Sequence, residues 1–226
     1  MKTLLLADIH GSIDNLRKAA GYAREKQIKN MLLLGDYPAY GEFRDKKQNI
    51  SWCKKILDTL DGFQLYVIPG NCDNPKIIDE LIKRGINLHE KIIKLGDKQL
   101  IGYGGSTPTP YQTPNELRDE SIYDGLEGLF TKAGVGEIIL AVHQPPWRTK
   151  CDITNLGVHA GSAALREIVL NYQPEMLLCS HIHESGGCSD ILGKTRIINI
   201  GALLDGRFGV LDTISLSVDL FKLDEL

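Results

Sequence analysis

Five short apolar runs, each leading into a side chain able to bind a metal, constrain this sequence more than any other feature. TLLLA at 3–7 leads into Asp8, Ile9 and His10. MLLL at 31–34 passes through Gly35 to Asp36, and residues 65–68 pass through Pro69 and Gly70 to Asn71. IILAV at 138–142 ends at His143, and MLLC at 176–179 passes Ser180 to reach His181 and His183. Uninterrupted apolar runs that alternate with helical periodicity read as strands buried on both faces and joined by crossovers. The helical signal is clear at 13–26, where Leu16, Ala19, Ala20 and Ala23 recur at three-to-four spacing. It returns at 52–60 with Ile56, Leu57 and Leu60, and again at 76–84.

The middle of the chain changes character. Residues 89–95 and 99–103 flank Gly96-Asp97, which predicts an antiparallel hairpin, with His89 at the surface. GGSTPTPYQTP at 104–114 is a loop, because Pro108, Pro110 and Pro114 oppose any regular helix or ladder. A helix at 117–132, a strand at 137–142, a loop at 147–159 and a helix from Ser162 to 171 follow, with Ser162 as its cap. After the strand at 176–179, a Gly193-Lys194 turn and late strands at 208–211 and 215–221 complete the pattern. Such β/α units followed by antiparallel strands predict an α/β sandwich with more than one sheet, in a single domain over 1–226.

Charge and cysteine usage narrow the setting. A formal charge of -3 supplies no basic field for nucleic acid or an anionic membrane surface. No run approaches the ~20 apolar residues of a membrane span. The first apolar run stops at Ala7, short of the roughly 7–15 residues of a signal-peptide core. Five scattered cysteines without a C-x-x-C pair read as reduced thiols, so cytoplasm is the expected compartment. The KLDEL end reads as a polar strand or helix end.

In open α/β sheets, ligands bind at the carboxyl ends of strands. The seven side chains are therefore expected on one rim. His181 and His183 carry the strongest single signal, since alternate residues of an extended segment point the same way. Oxygen-bearing Asp8, Asp36 and Asn71 together with His10, His143, His181 and His183 make a mixed donor set. Seven ligands exceed one four-coordinate ion and suit two ions that share a carboxylate. Such a set accepts Mn²⁺, Fe, Zn²⁺ or Ni²⁺.

These motifs, ADIHG, LGDY, PGNCD, AVHQPP and CSHIHE, stand in the order found in the calcineurin-like metallophosphoesterase superfamily, which the sequence resembles over most of its length. Tyr40-Gly41, GGSTPTP, HAGS and the NIGA turn at 199–202 look like its small prokaryotic phosphodiesterase-like branch. The resemblance implies a four-layer α/β/β/α sandwich with two divalent transition-metal ions at the strand ends. It implies that Asp8, His10 and His183 hold one ion, that Asn71, His143 and His181 hold the other, and that Asp36 bridges them. Asp36 and Asn71 also count as catalytic, and the implied reaction is in-line attack of a metal-held hydroxide on a small phosphodiester or phosphomonoester.

Three departures stand out. Cys72 occupies a position where many relatives have a histidine credited with protonating the leaving group, and a thiol is a poor substitute. YPAYGEF replaces the arginine-bearing turn of protein phosphatases, so phosphoprotein is a disfavoured substrate. Ser180 replaces a glycine, a change expected to be tolerated. Cys72 and His159 are the candidate substrate-binding residues; for His159 the competing reading is a hydrogen bond within its loop. The alternative from another class is a binding or scaffold protein that keeps the fold without catalysis, and the complete ligand set favours activity. A repair-type DNA nuclease is disfavoured by length and charge.

Overall fold

A computed structural model describes residues 1–134 and 136–226. Three parallel strands, β1 (Lys2–Leu6), β2 (Asn30–Leu33) and β3 (Gln64–Val67), alternate with α1 (Ile13–Glu25), α2 (Lys46–Thr59) and α3 (Ile77–Lys83). The hairpin β4 (Lys91–Leu95) and β5 (Lys98–Tyr103) follows. Then come α4 (Asp119–Ala133), β6 (Ile138–Val142), α5 (Ala163–Tyr172) and β7 (Met176–Cys179). The chain closes with β8 (Ser189–Leu192), β9 (Thr195–Asn199), β10 (Arg207–Asp212) and β11 (Ser217–Lys222).

Two sheets result. One has the order β11-β10-β1-β2-β3, with β10 and β11 antiparallel at one side. The other has the order β4-β5-β6-β7-β9-β8, parallel from β5 through β9 with an antiparallel strand on each edge. The period of two along each strand sorts its side chains between two cores. Leu4 and Leu6 pack with Leu16, Ala20, Ile56 and Leu81 of the first three helices. Leu140, Val142, Leu177 and Cys179 pack with Leu126, Phe130, Leu165 and Ile168 of α4 and α5. The alternate positions Leu5, Leu32, Ile139 and Leu178 meet between the sheets. Three cores separate four layers, so the chain is the expected α/β/β/α sandwich.

Local differences from the sequence reading have simple causes. Helix α2 begins at Lys46, six residues before the apolar periodicity, because Asp45 caps it by accepting from the Lys47 and Gln48 amides (2.9 Å each). Its polar first turn carries Asn49, buried all the same. His89 is mostly buried instead of surface-lying, and its Nδ1 accepts from the Gly104 amide (2.9 Å). Ser162 caps α5 as expected, accepting from the Leu165 amide (3.1 Å). Among the described residues, no helix is long and apolar enough to cross a membrane.

Candidate metal centre

Because β1, β2, β3, β6 and β7 are parallel within their sheets, their carboxyl ends lie at one end of each sheet. The connections that leave them turn sharply. Asp8, His10, Asp36 and His181 all adopt positive φ (48°, 43°, 60° and 66°), a region costly for residues with a Cβ. The surrounding hydrogen bonds hold that strain. The Asp8 amide donates to Gly35 O (2.9 Å), and the His10 amide donates to Asp36 O (3.0 Å).

The two carboxylates are arranged differently. Asp8 is fully buried, and its Oδ2 accepts from the Ser180 hydroxyl and the His181 amide. Its Oδ1 has no hydrogen-bond partner, yet Nε2 of His183 stands 3.2 Å away, with those of His10 and His143 at 3.8 and 4.0 Å. Asp36 accepts the Cys72 amide at Oδ1 (2.8 Å) and turns Oδ2 to His143 (3.6 Å) and His10 (3.7 Å). Asn71 Oδ1 lies 2.8 Å from His143 Nε2, and His181 Nδ1 lies 3.2 Å from that same nitrogen. All seven predicted side chains are thus brought together. Among the described residues, three overlapping groups could hold an ion: Asp8, His10 and His183; His10, Asp36 and Cys72; Asp36, His143 and His181.

Backbone carbonyls set the imidazole tautomers. Nδ1 of His143 faces Leu34 O (2.7 Å) and Nδ1 of His10 faces Pro38 O (3.3 Å), so each donates there and aims Nε2 inward. The charges are mutually dependent. Burial opposes ionisation of Asp8, but His183, His143 and His10 hold its carboxyl far below the usual range. Burial also opposes Asp36, which His143 nonetheless brings to about 2. Burial depresses His143 and His183, yet Asp36 beside the first and Asp8 beside the second lift each to about 9. His181 is pushed down to about 4 by burial and by the charge on His143. Without an ion, two imidazolium groups therefore neutralise two carboxylates. The unpartnered Asp8 Oδ1 and the inward Nε2 atoms fit a transition-metal ion, whose charge would replace those protons.

Residues 1–185 match the sequence profile of the calcineurin-like phosphoesterases. The chain belongs to that family. The family binds divalent metal ions and acts on phosphate esters, so a metal-dependent phosphoesterase is the general assignment. The chain is 33% identical over 205 residues to the uncharacterized protein MJ1162 of Methanocaldococcus jannaschii, covering 88% of this chain and 87% of that one. Its fold is similar to that of TT1561 of Thermus thermophilus (TM-score 0.74, 16% identity, 98% of both chains). It is also similar to a dimetal phosphatase from Danio rerio (TM-score 0.65, 14% identity, 99% of both chains). An archaeal phosphodiesterase shares the fold more distantly (TM-score 0.52, 13% identity, 98% of this chain and 99% of that one).

One detail of this phosphoesterase differs from what its sequence motifs suggest, and a second bears on a residue with two readings. His181 and His183 do not lie on an extended segment. His181 has positive φ and His183 opens a 3-10 turn, which sends one ring toward His143 and the other toward Asp8. His159 hydrogen-bonds through Nδ1 to Asp152 (2.7 Å), which also accepts the Arg148, Thr149 and Gly161 amides and ties that loop together. This geometry is the loop hydrogen bond that competed with a substrate role for His159.

Several positioning residues escaped sequence reasoning. Asp73 accepts the amides of Asp36 (2.8 Å), Tyr37 (2.9 Å) and Gly70 (2.6 Å), locking two motif loops together. Burial and the nearby Asp36 push it up to about 7. Asn49 holds the same loop, donating to Cys72 O (2.7 Å) and accepting from the Asn74 amide (2.8 Å). Ser180 does more than fill a glycine position, since its hydroxyl orients Asp8. Asn199 donates to Ile182 O (2.9 Å) and accepts from the Gly201 amide (2.9 Å), bracing the His181–His183 turn. Ser180 left a sequence signal as a departure from the motif, and Asp73 and Asn199 lie within the PGNCD and NIGA motifs, whereas Asn49 left none.

Proposed function

We propose that this chain hydrolyses phosphodiesters or small phosphomonoesters at a two-ion centre. Asp8, His10 and His183 hold one divalent ion, Asn71, His143 and His181 hold the other, and Asp36 is shared. The observation that carries this reading is the position of Asp36 Oδ2, 3.7 Å from His10 and 3.6 Å from His143, one imidazole from each set. When bound, such ions supply Lewis-acid activation of water and offset charge on the phosphoryl oxygens. Leu34 O and Pro38 O keep the Nδ1 protons of His143 and His10 out of the site. Ser180 and the His181 amide fix Asp8 Oδ2, leaving Oδ1 for the centre. Thr113 Oγ1 accepts from Asn71 Nδ2 (3.0 Å), which orients Oδ1 toward His143.

Metal-free protein titrated with Mn²⁺, Ni²⁺ or Zn²⁺ should hydrolyse an aryl phosphodiester, its matching monoester, or both. Absence of metal-dependent turnover with either would overturn the reading. Uptake at pH 7 should expel the protons held on His143 and His183, whose pKa values of about 9 keep them charged there. The apparent affinity should therefore rise with pH up to about 9 and level off above it. Calorimetry in buffers of different protonation enthalpy should count about two protons released at pH 7. An affinity flat across that range would contradict the ligand assignment.

Cys72 determines the leaving groups this centre can expel. Burial and the adjacent Asp36 push its thiol far above the usual range, so it brings no charged donor. Esters whose leaving group is stable as an anion should be preferred. Cys72→His should raise turnover of poor leaving groups by about 10–100-fold. It should change nitrophenyl esters much less, as measured by kcat across a leaving-group series. An equal gain for all leaving groups would argue against a missing acid.

A further inference from the structure

Tyr40 touches two imidazoles of the centre and is nevertheless 57% exposed. Its ring lies over His10 with centroids 4.1 Å apart and planes inclined by 20°. Its hydroxyl stands 3.4 Å from Nδ1 of His183. Both imidazoles belong to the group formed with Asp8. One ring face and the oxygen are thus engaged, and the exposed remainder borders the rim.

The loop that carries the ring is tied at several points. The Gly11 amide donates to Tyr37 O (3.0 Å), and the Glu42 amide donates to Ala39 O (3.0 Å). Asn49 donates to Phe43 O (2.9 Å), and the Arg44 guanidinium donates to Tyr111 O (3.0 Å) on the proline-rich loop. An aromatic ring held in place and still more than half exposed is preorganised for a planar partner, because little further ordering is lost on stacking.

We propose that Tyr40 is a substrate-binding residue whose exposed ring stacks on an aryl leaving group of the ester. The inference rests on the phosphoester reading above and deepens it to a substrate class. Two independent features converge on the same chemistry. Cys72 offers no charged acid, so the departing group must carry its own negative charge well, and an aryl oxide spreads that charge into its ring. Tyr40 can hold a planar ring beside the centre. In the step itself, water oxygen bonds to phosphorus and the P–O(aryl) bond breaks. The aryl oxide leaves with the electron pair, and the proton from water passes to solvent.

The test compares phenyl and hexafluoroisopropyl phosphate esters, whose leaving groups are of comparable acidity but differ in having a ring. With Mn²⁺-loaded protein, the ratio of their kcat/KM values should favour phenyl. That ratio should fall about tenfold in Tyr40→Leu and stay within about twofold in Tyr40→Phe and Tyr40→Trp. Calorimetric binding of phenylphosphonate against methylphosphonate to the same proteins gives a readout independent of turnover. The phenyl preference should again fall about tenfold in Tyr40→Leu only.

A ratio unchanged by Tyr40→Leu, with both ligands weakened equally, would overturn the proposal and leave Tyr40 as a residue that only orients His10 and His183. Failure of the wild type to bind either phosphonate would overturn it as well. If both phosphonates bind with the expected ratios but neither ester turns over, the hydrolase reading fails and the aromatic platform stands.

Discussion

Asp36→Asn should reduce metal-dependent ester hydrolysis by about 10³-fold, roughly 4 kcal/mol of barrier. The amide is nearly isosteric, and its oxygen can still accept the Cys72 amide now held at 2.8 Å. What is lost is the negative charge between His10 and His143, the feature on which the proposed sharing of Asp36 by two ligand sets rests. In the proposed centre, each ion would then have a neutral, weaker donor in the shared position. The metal-free protein should respond too. In the folded chain the Asp36 carboxyl lies at about 2, below its ordinary value of 3.8, so its ionised form stabilises the fold above about pH 4. That contribution disappears as pH falls through about 2, and its size is about 2 kcal/mol. The variant should therefore melt a few degrees lower at neutral pH without an added metal. Measuring kcat/KM at saturating metal beside the melting temperature separates the two effects. Activity within about tenfold of wild type would remove Asp36 from the shared position.

Gly35→Ala should be among the most damaging small substitutions for stability. Gly35 has φ +102°, a conformation that side chains strongly oppose. A Cβ there would stand 2.1 Å from Gly70 N and 2.4 Å from Gly70 Cα. Those are backbone atoms, so no rotamer change relieves the clash. Gly70 is equally confined, because a Cβ on it would lie 2.1 Å from Asp36 Oδ1. The two glycines let the β2 and β3 loops touch, and Asp73 seals that contact by accepting amides from both. Forcing the loops apart should cost about 3–5 kcal/mol and lower the melting temperature by roughly 10 °C. It should also weaken metal uptake, since Asp36 and Asn71 ride on those loops. A melting temperature within about 2 °C of wild type, on the order of 1 kcal/mol or less, would show that the loops have another way to meet.

Much of the fold was legible because it depends on local periodicity. Runs such as Leu4–Leu6 and Leu177–Cys179 are apolar throughout because each strand feeds two cores, one toward helices and one toward the other sheet. The start of α2 was illegible because a capping aspartate and a polar first turn set it, not an apolar stripe. Asn49, and the role of Asp73 within PGNCD, were illegible for a related reason. A buried polar side chain is defined by partners on other loops, and nothing in its immediate neighbours announces them.

The sequence alone determined which side chains can ligate and that they end strands, since donor chemistry and strand termination are local properties. Tertiary structure decided how those donors are oriented. His143 receives its tautomer from Leu34 O, a contact made 109 residues away across the two sheets. Ser180, 172 residues from Asp8, decides which of its oxygens remains open. Such pairings follow from how the two sheets pack face to face through Leu5, Leu32, Ile139 and Leu178. Short-range pattern carries no record of them, because the energy that selects the packing is non-directional burial and the hydrogen bonds form only once that packing brings distant loops together.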